Sequence, residues 1–161
     1  MKQKRIHPAE FPYNTYLCSI PLDFPGVPLH WHDELELVVI KRGQGFVSVD
    51  FDKRLVHSGD IIIIPPGCLH AIEQDDTFKM EYENIIFKPD LLSSGANDLC
   101  MIQYIVPLLD SSLPIEYFLT PALGSFEALS NCIRQIDLVC ADQTPGWQLA
   151  VKSSLFNFFF F

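Results

Sequence analysis

The amino-acid sequence predicts a mainly β protein, an antiparallel barrel or sandwich, followed by α-helices. Up to about residue 90, short β-rich segments alternate with turn residues, which is typical of antiparallel folds. Beyond that point the segments lengthen and their apolar residues recur with helical spacing. The chain has 161 residues, 48% of them hydrophobic and 13 of them Phe, so one domain can bury a sizeable core without disulfides.

The strands are predicted from alternating or continuous apolar runs bounded by Gly, Pro and Asp. Glu34–Lys41 alternates at its start and then becomes continuously apolar, as expected for a strand covered on both faces. Gly43–Gly45 predicts a turn, and Asp52–Lys53 predicts a second tight reversal. The predicted strands are residues 13–20, 34–41, 46–51, 54–57, 61–64, 69–74 and 78–88.

Three helices are predicted in the second half. The first covers 98–109, with one apolar face formed by Leu99, Ile102, Ile105, Val106 and Leu109. Thr120–Pro121 and Thr144–Pro145 each combine a capping hydroxyl with proline at the first helical position, so each predicts a helix start. The two apolar stripes that follow are Ala122, Phe126, Leu129, Ile133, Ile136 and Cys140, and then Trp147, Val151, Leu155 and Phe158. Such a helical hairpin either packs on the outside of the barrel or associates with another copy.

Composition excludes several classes of protein. The net charge of −9 gives the domain no electrostatic footprint for binding nucleic acid by itself. The five cysteines form no CxxC pair, which favours reduced thiols in a cytoplasmic protein over disulfides or a zinc knuckle. No segment approaches the ~20 consecutive apolar residues that a membrane-spanning helix needs.

Three histidines and a glutamate form the candidate site. His30 and His32 are two residues apart, so on one strand they would point the same way, and Glu36 has the same parity. His70 follows a Pro-Pro-Gly turn and lies on a separate predicted strand. Three imidazoles and one carboxylate suit a divalent Mn, Fe, Ni or Zn ion with coordination positions left open. The alternative is a metal-free polar cluster held by hydrogen bonds.

These segments resemble the two signature motifs of the cupin superfamily. The first motif is matched by His30, His32, Glu36 and Gly43, and the second by Gly59, Pro65, Gly67 and His70. The resemblance implies a jelly-roll-like barrel in which those three histidines and the glutamate are the metal ligands. Two positions depart from the pattern: Gly26 is closer to the first histidine than usual, and Gln74 replaces the usual closing asparagine.

The amino-acid sequences of both motifs are similar to those in the amino-terminal half of AraC-type transcriptional regulators. The two segments that show this similarity are His30-Trp-His-Asp-Glu-Leu-Glu36 and Gly59-Asp-Ile-Ile-Ile-Ile-Pro-Pro-Gly-Cys-Leu-His70. The resemblance implies a barrel, residues 1–95, that senses a small effector, often a sugar. It also implies a helical segment, 96–161, that packs on the barrel and forms a homodimer. DNA would be bound only by a helix-turn-helix part beyond Phe161, where we expect the chain to be cut within a longer protein.

Two further residues are candidates for contacting the effector. Tyr82 and Phe46 are strand aromatics that either line a pocket or belong to the core. We find no nucleophile–base pair in the sequence, and we assign no catalytic residue. The rival hypothesis is a metal-dependent cupin enzyme, an isomerase or dioxygenase, that uses the same cluster.

Overall fold

The computed structural model describes residues 2–6, 10–93 and 98–161. The chain divides into two compact units, Met1–Leu119 and Thr120–Phe161. This boundary lies well beyond the predicted one at 95/96, because the segment up to Leu119 stays with the first unit: its last two residues form a strand of the sheet.

The first unit is built from antiparallel strands arranged in two sheets. The strands are β1 Lys2–Ile6, β2 Tyr13–Ile20, β3 Gly26–His30, β4 Leu35–Val49, β5 Asp52–His57, β6 Ile61–Ile64, β7 His70–Gln74, β8 Met80–Phe87 and β9 Phe118–Leu119. One sheet has the order β1-β2-β8-β4-β6-β9, and the other has the order β3-β7-β4-β5. The strand β4 belongs to both sheets, and this confirms the predicted jelly-roll-like antiparallel class.

The strand β4 is one element of 15 residues, so the prediction of two strands with a turn at Gly43–Gly45 is wrong. The chain bends here without reversing: the register with β8 shifts between Ile40 and Arg42, and Gly43 has φ +78°. A Cβ atom on Gly43 would lie 1.8 Å from the carbonyl oxygen of Lys79, so only glycine lets β8 approach this closely.

The tight reversal lies two residues earlier than predicted. Asp50 and Phe51 form the two-residue loop between β4 and β5, and both have positive φ, +46° and +73°. Positive φ at both central positions defines a type I′ turn, whose twist matches that of the paired strands.

The core of the first unit lies between the two sheets. Its buried members come from both sheets: Cys18, Ile20, Val38, Ile40, Val47, Val49, Val56, Ile62, Ile64, Cys68, Ile72, Met80, Tyr82 and Phe118. Every residue from Leu35 to Ile40 is buried, which confirms the prediction that this part of β4 is covered on both faces. Burying one such Val or Ile side chain contributes about 1.5–3 kcal/mol to folding.

The segment predicted as helix 98–109 is helical but not a regular α-helix. A π-helix, Met101–Ile105, leads into the short helix α1, Val106–Leu109, and a 3₁₀-helix, Pro89–Leu92, comes before them in the chain. The predicted apolar face is wrong, because Leu99 and Ile102 are exposed. The i→i+5 hydrogen bonding of a π-helix changes the helical period, so the side chains do not line up at spacings of three and four.

The second unit consists of two consecutive helices that contact each other, α2 Phe126–Asp142 and α3 Trp147–Phe160. Both helices start later than predicted: residues 121–125 form turns before α2, and Gly146 with φ +88° comes before α3. The stripe predicted for α3 is confirmed, since all four of its residues are buried: Trp147, Val151, Leu155 and Phe158. In the described parts of the chain, we find no helix with the length and apolar character needed to cross a membrane.

Candidate metal and effector site

The three histidines and Glu36 converge, but not by the predicted route. The strand β3 ends at His30, His32 lies in the connection that follows, and Glu36 is the second residue of β4. His30, His32 and Glu36 therefore do not share one strand, and the prediction from their parity that they would is wrong. His70 is the first residue of β7 and pairs with His30 across the two strands.

The distances within the cluster are short. One ring nitrogen each from His30, His32 and His70 lies within 4.8 Å of the others. The His30 and His70 rings are 4.1 Å apart, and the His32 and His70 rings are 4.9 Å apart. Glu36 Oε2 lies 2.9 Å from His32 Nε2 and 3.4 Å from His70 Nε2. One carboxylate oxygen therefore faces two imidazoles.

All three imidazoles are oriented by backbone carbonyls. The Nδ1 atoms of His30, His32 and His70 lie 2.9–3.0 Å from the carbonyl oxygens of Pro28, Glu34 and Cys68, respectively. A carbonyl oxygen only accepts, so in each ring Nδ1 donates and carries a proton. Nε2 is then the nitrogen left to bind a cation, and this is how metal-ligating histidines are commonly held.

One ring nitrogen at the buried end of the cluster lacks a hydrogen-bond partner among the described residues. Glu36 is 2% exposed and His70 is 1% exposed. Among the described residues, His70 Nε2 has no hydrogen-bond partner, since its approach to Glu36 is poorly aligned. A buried polar atom without a partner costs about 1–3 kcal/mol, so the site is better satisfied with a cation among its nitrogens. The donor set and its orientation fit a divalent metal.

The hydrogen bond between Glu36 and His32 stabilises the charged form of each residue. Burial by itself would raise the pKa of the Glu36 carboxyl, but the hydrogen bond from His32 and the proximity of His70 outweigh burial and lower it. The hydrogen bond to Glu36 raises the pKa of His32, against the opposing effect of burial. Because His32 faces acceptors at both ring nitrogens, the imidazolium form suits this cluster without metal, and a bound metal would displace its Nε2 proton.

The Pro-Pro-Gly turn of the second motif and the residue after it make hydrogen bonds with two of the histidines, His32 and His70. Gly67 N–H donates to the carbonyl of His32 at 2.8 Å, and the carbonyl of Cys68 accepts from His70. Cys68 is buried, and burial together with Asp50 raises the pKa of its thiol to about 11, so it is protonated at neutral pH. His57, by contrast, is exposed and is not part of the cluster.

The two candidate effector residues occupy opposite faces. Tyr82 is fully buried in the core between the sheets, where burial and then the neighbouring Cys18 and Glu36 raise the pKa of its hydroxyl. Phe46 alternates with the buried Gly45 and Val47, is only half-buried, and lies 5.0 Å beneath the Lys53 ammonium. Phe46 therefore points away from the core face, and an interior pocket does not include it.

Asn14 and Asn84, which lie on the two adjacent strands β2 and β8, were not among the residues predicted from the sequence. Each amide lies two residues from a tyrosine of its own strand, Tyr16 for Asn14 and Tyr82 for Asn84.

The two-sheet barrel and its histidine–glutamate cluster define a cupin-type domain. The chain belongs to the family described as AraC-like ligand binding domain, which it matches over residues 21–159. It is 33% identical over 148 residues to YdeC, a helix-turn-helix-type transcriptional regulator of Bacillus subtilis, covering 91% of this chain and 50% of that protein. It is 32% identical over 69 residues to the helix-turn-helix-type transcriptional activator RhaR of Mannheimia succiniciproducens, covering 43% of this chain and 24% of that one.

Solved structures that resemble part of this chain include two cupin proteins. A cupin protein from Bacteroides fragilis is 20% identical, with a TM-score of 0.45, covering 64% of this chain and 96% of that one. A cupin barrel domain protein from Salinispora arenicola has 22% identity and the same TM-score, covering 53% of this chain and 73% of that one. The chain spans about half the length of its regulator relative YdeC. The family match supports the regulatory reading of the sequence over the enzymatic one.

Proposed function

We propose that this domain senses a small molecule inside its barrel for an AraC-type regulator whose DNA-binding helix-turn-helix part lies outside these 161 residues. The family match and the regulator relatives support this proposal. A sensor changes DNA binding only if its effector binds the two poses of the regulator with different affinity. The effector site must therefore belong to a part of the domain that is coupled to the rest of the protein.

The observation that carries the site is the orientation of the histidines. The Nδ1 atoms of His30, His32 and His70 each donate a hydrogen bond to a backbone carbonyl, and Glu36 lies against two of the rings. We place a divalent Zn, Ni, Mn or Fe ion among these four residues. When bound, the ion would supply a Lewis acid with open positions, able to take an oxygen atom of the effector.

The helical unit is the proposed dimer contact. Apart from the buried stripes of α2 and α3, the large apolar side chains Leu138, Leu149 and Phe156 are exposed. Exposed apolar area of this kind favours association, and a two-fold contact is the commonest arrangement of soluble homo-oligomers. Leu138→Glu should shift the purified chain from dimer to monomer in light scattering. A dimer that persists in this variant and in Leu149→Glu would place the contact elsewhere.

The metal is tested by the metal content of the purified chain after incubation with each ion and gel filtration. We expect about one ion per chain in the wild type and loss of the ion in the His30→Ala/His70→Ala double variant. His57→Ala is the matched control, because it removes an exposed histidine outside the cluster. A folded wild type that binds none of the four ions would contradict the metal assignment.

Sensing is tested separately by thermal denaturation of the chain against a small-molecule library. A ligand at one hundred times its Kd stabilises the folded state by about 2.7 kcal/mol, which raises the Tm by roughly 5–10 °C. Saturable stabilisation by one compound class, unchanged in His57→Ala, is the expected result. If no class stabilises either the metal-loaded or the metal-free chain, a sensor role for the barrel is wrong.

A further inference from the structure

Asp50, in the turn between β4 and β5, holds the residue that comes just before the candidate ligand His70. The Asp50 N–H donates to the carbonyl of Leu69 at 2.8 Å, and the Asp50 Oδ1 atom accepts from the N–H of Leu69 at 3.1 Å. Val49 and His70 are the last pair of the β4–β7 ladder, so Asp50 and Leu69 are the next pair along it. Both backbone groups of Leu69 are therefore bound by one residue.

The side chain of Asp50 takes a place that a backbone carbonyl has in a regular sheet. Residues of a hydrogen-bonded antiparallel pair exchange two backbone hydrogen bonds. At this pair, a carboxylate oxygen accepts the second one. The φ of Asp50 is +46°, which turns the main chain into the β4–β5 loop. Asp and Asn tolerate this conformation and also bring an acceptor close to the backbone, so few other residues could satisfy the Leu69 N–H here.

One peptide group connects Asp50 to the ring of His70. The Leu69 N–H and the Cys68 carbonyl belong to the same planar trans peptide, so they point in opposite directions. Asp50 binds the N–H, and the Nδ1–H group of His70 donates to the carbonyl at 2.9 Å. The hydrogen bond of His70 is buried, whereas Asp50 is exposed. A carboxylate at the surface thereby constrains a ring in the interior.

The hydrogen bond from His70 to Cys68 decides which ring nitrogen is free to bind a cation. With the proton on Nδ1, the lone pair of Nε2 is available. Glu36 Oε2, 3.4 Å from His70 Nε2, favours the other tautomer, in which Nε2 carries the proton and cannot bind a cation. A carboxylate on the N–H side polarises the peptide and makes its carbonyl a stronger acceptor. Asp50 therefore favours the tautomer that binds metal.

We propose that Asp50 is a positioning residue for the metal site, which orients the His70 ring and keeps its proton on Nδ1 through the Cys68–Leu69 peptide. This inference rests on the proposed function, because it concerns the ion that the histidine–glutamate cluster would hold. Loss of a residue that orients a metal ligand typically weakens metal binding 10–100-fold. Water screens the exposed carboxylate, so we expect the lower end of that range, about tenfold.

Three variants separate this role from the formation of the turn. Asp50→Gly keeps the positive φ and removes the acceptor, whereas Asp50→Asn keeps both. Phe51→Gly changes the other turn residue, whose φ is +73°, and leaves the bond to Leu69 in place. Titration calorimetry with each of the four ions should show about tenfold weaker binding in Asp50→Gly. Asp50→Asn should stay within about threefold of the wild type, and Phe51→Gly should match the wild type.

The metal-free chain supplies a second measurement. Long-range ¹H–¹⁵N NMR spectra at pH 8 report which nitrogen of each imidazole carries the proton. In Asp50→Gly the signals of His70 should shift toward the tautomer protonated at Nε2. His30 and His32 should keep their spectra, because their Nδ1 atoms donate to other carbonyls. General loosening of the fold would not single out His70.

The outcomes separate this inference from the proposed function. Unchanged His70 signals in Asp50→Gly would overturn the positioning role. An equal loss of affinity in Asp50→Asn, which points to charge alone, or in Phe51→Gly, which points to the turn, would also overturn it. If the wild type binds none of the four ions, the metal assignment fails, and the ring spectra still decide whether Asp50 orients His70. If the wild type and Asp50→Gly bind an ion equally, the proposed function stands and this inference is wrong.

Discussion

Adding a single Cβ atom at Gly43, as in Gly43→Ala, should strongly destabilise the folded state. Its φ of +78° is disfavoured for any residue with a Cβ, and that Cβ would lie 1.8 Å from Lys79 O and 2.9 Å from the carbonyl carbon of Lys79. Contacts below 3.0 Å do not occur for real Cβ atoms, so Gly43→Ala must push β4 and the start of β8 apart by over an ångström. The obstruction is backbone and cannot rotate away.

The expected loss combines two costs. The left-handed conformation costs about 1 kcal/mol in alanine, and forcing an extra methyl into a packed contact typically costs about 1–3 kcal/mol. We therefore expect Gly43→Ala to lower the free energy of unfolding by about 3 kcal/mol. For a chain of this size that lowers the Tm by roughly 6–12 °C.

Gly67 provides the matched control. Its φ of +77° is almost the same, yet a Cβ atom there has nothing within 4 Å. Gly67→Ala should therefore show the conformational cost alone, about 1 kcal/mol or roughly 2–4 °C. Urea denaturation followed by circular dichroism measures both variants. Equal losses in the two variants would refute the argument that the approach of β8, and not φ, makes Gly43 indispensable.

Two further predictions concern the surface and the thiols. Phe51→Gly should raise the free energy of unfolding by about 1 kcal/mol, because Asp-Gly suits the type I′ turn that Asp50 and Phe51 now form at positive φ; a lower urea midpoint would contradict this. Iodoacetamide at pH 8 should label the exposed Cys100 well before Cys68, because Cys68 is buried and a pKa of about 11 leaves only about one thiol in a thousand ionised. Labelling of Cys68 should accelerate as the pH rises towards 11, and equal rates at pH 8 in peptide mass spectra would refute this account.

The sequence by itself determined the class of the fold and the composition of the site. The pattern of short apolar strands followed by helical stripes needed only local periodicity, and the buried stripe of α3 is the clearest confirmed example. The ligand types of the cluster were readable because two spaced motifs carry His30, His32, Glu36 and His70. Those motifs led to the AraC-type family that the match over residues 21–159 shows.

The tertiary structure decided how those parts meet. Gly43 looked like part of a turn, because glycine is common in turns. Only the neighbouring β8 shows that this glycine lets β4 continue and serve two sheets. His30 and His32 share no strand, and the carbonyls of Pro28 in β3 and of Glu34 before β4 set the direction of their rings. Asn14 and Asn84 became neighbours only through the β2–β8 register. Periodicity reports which face of an element is apolar, whereas convergence depends on pairing and packing between residues far apart in the chain, and local sequence does not encode that information.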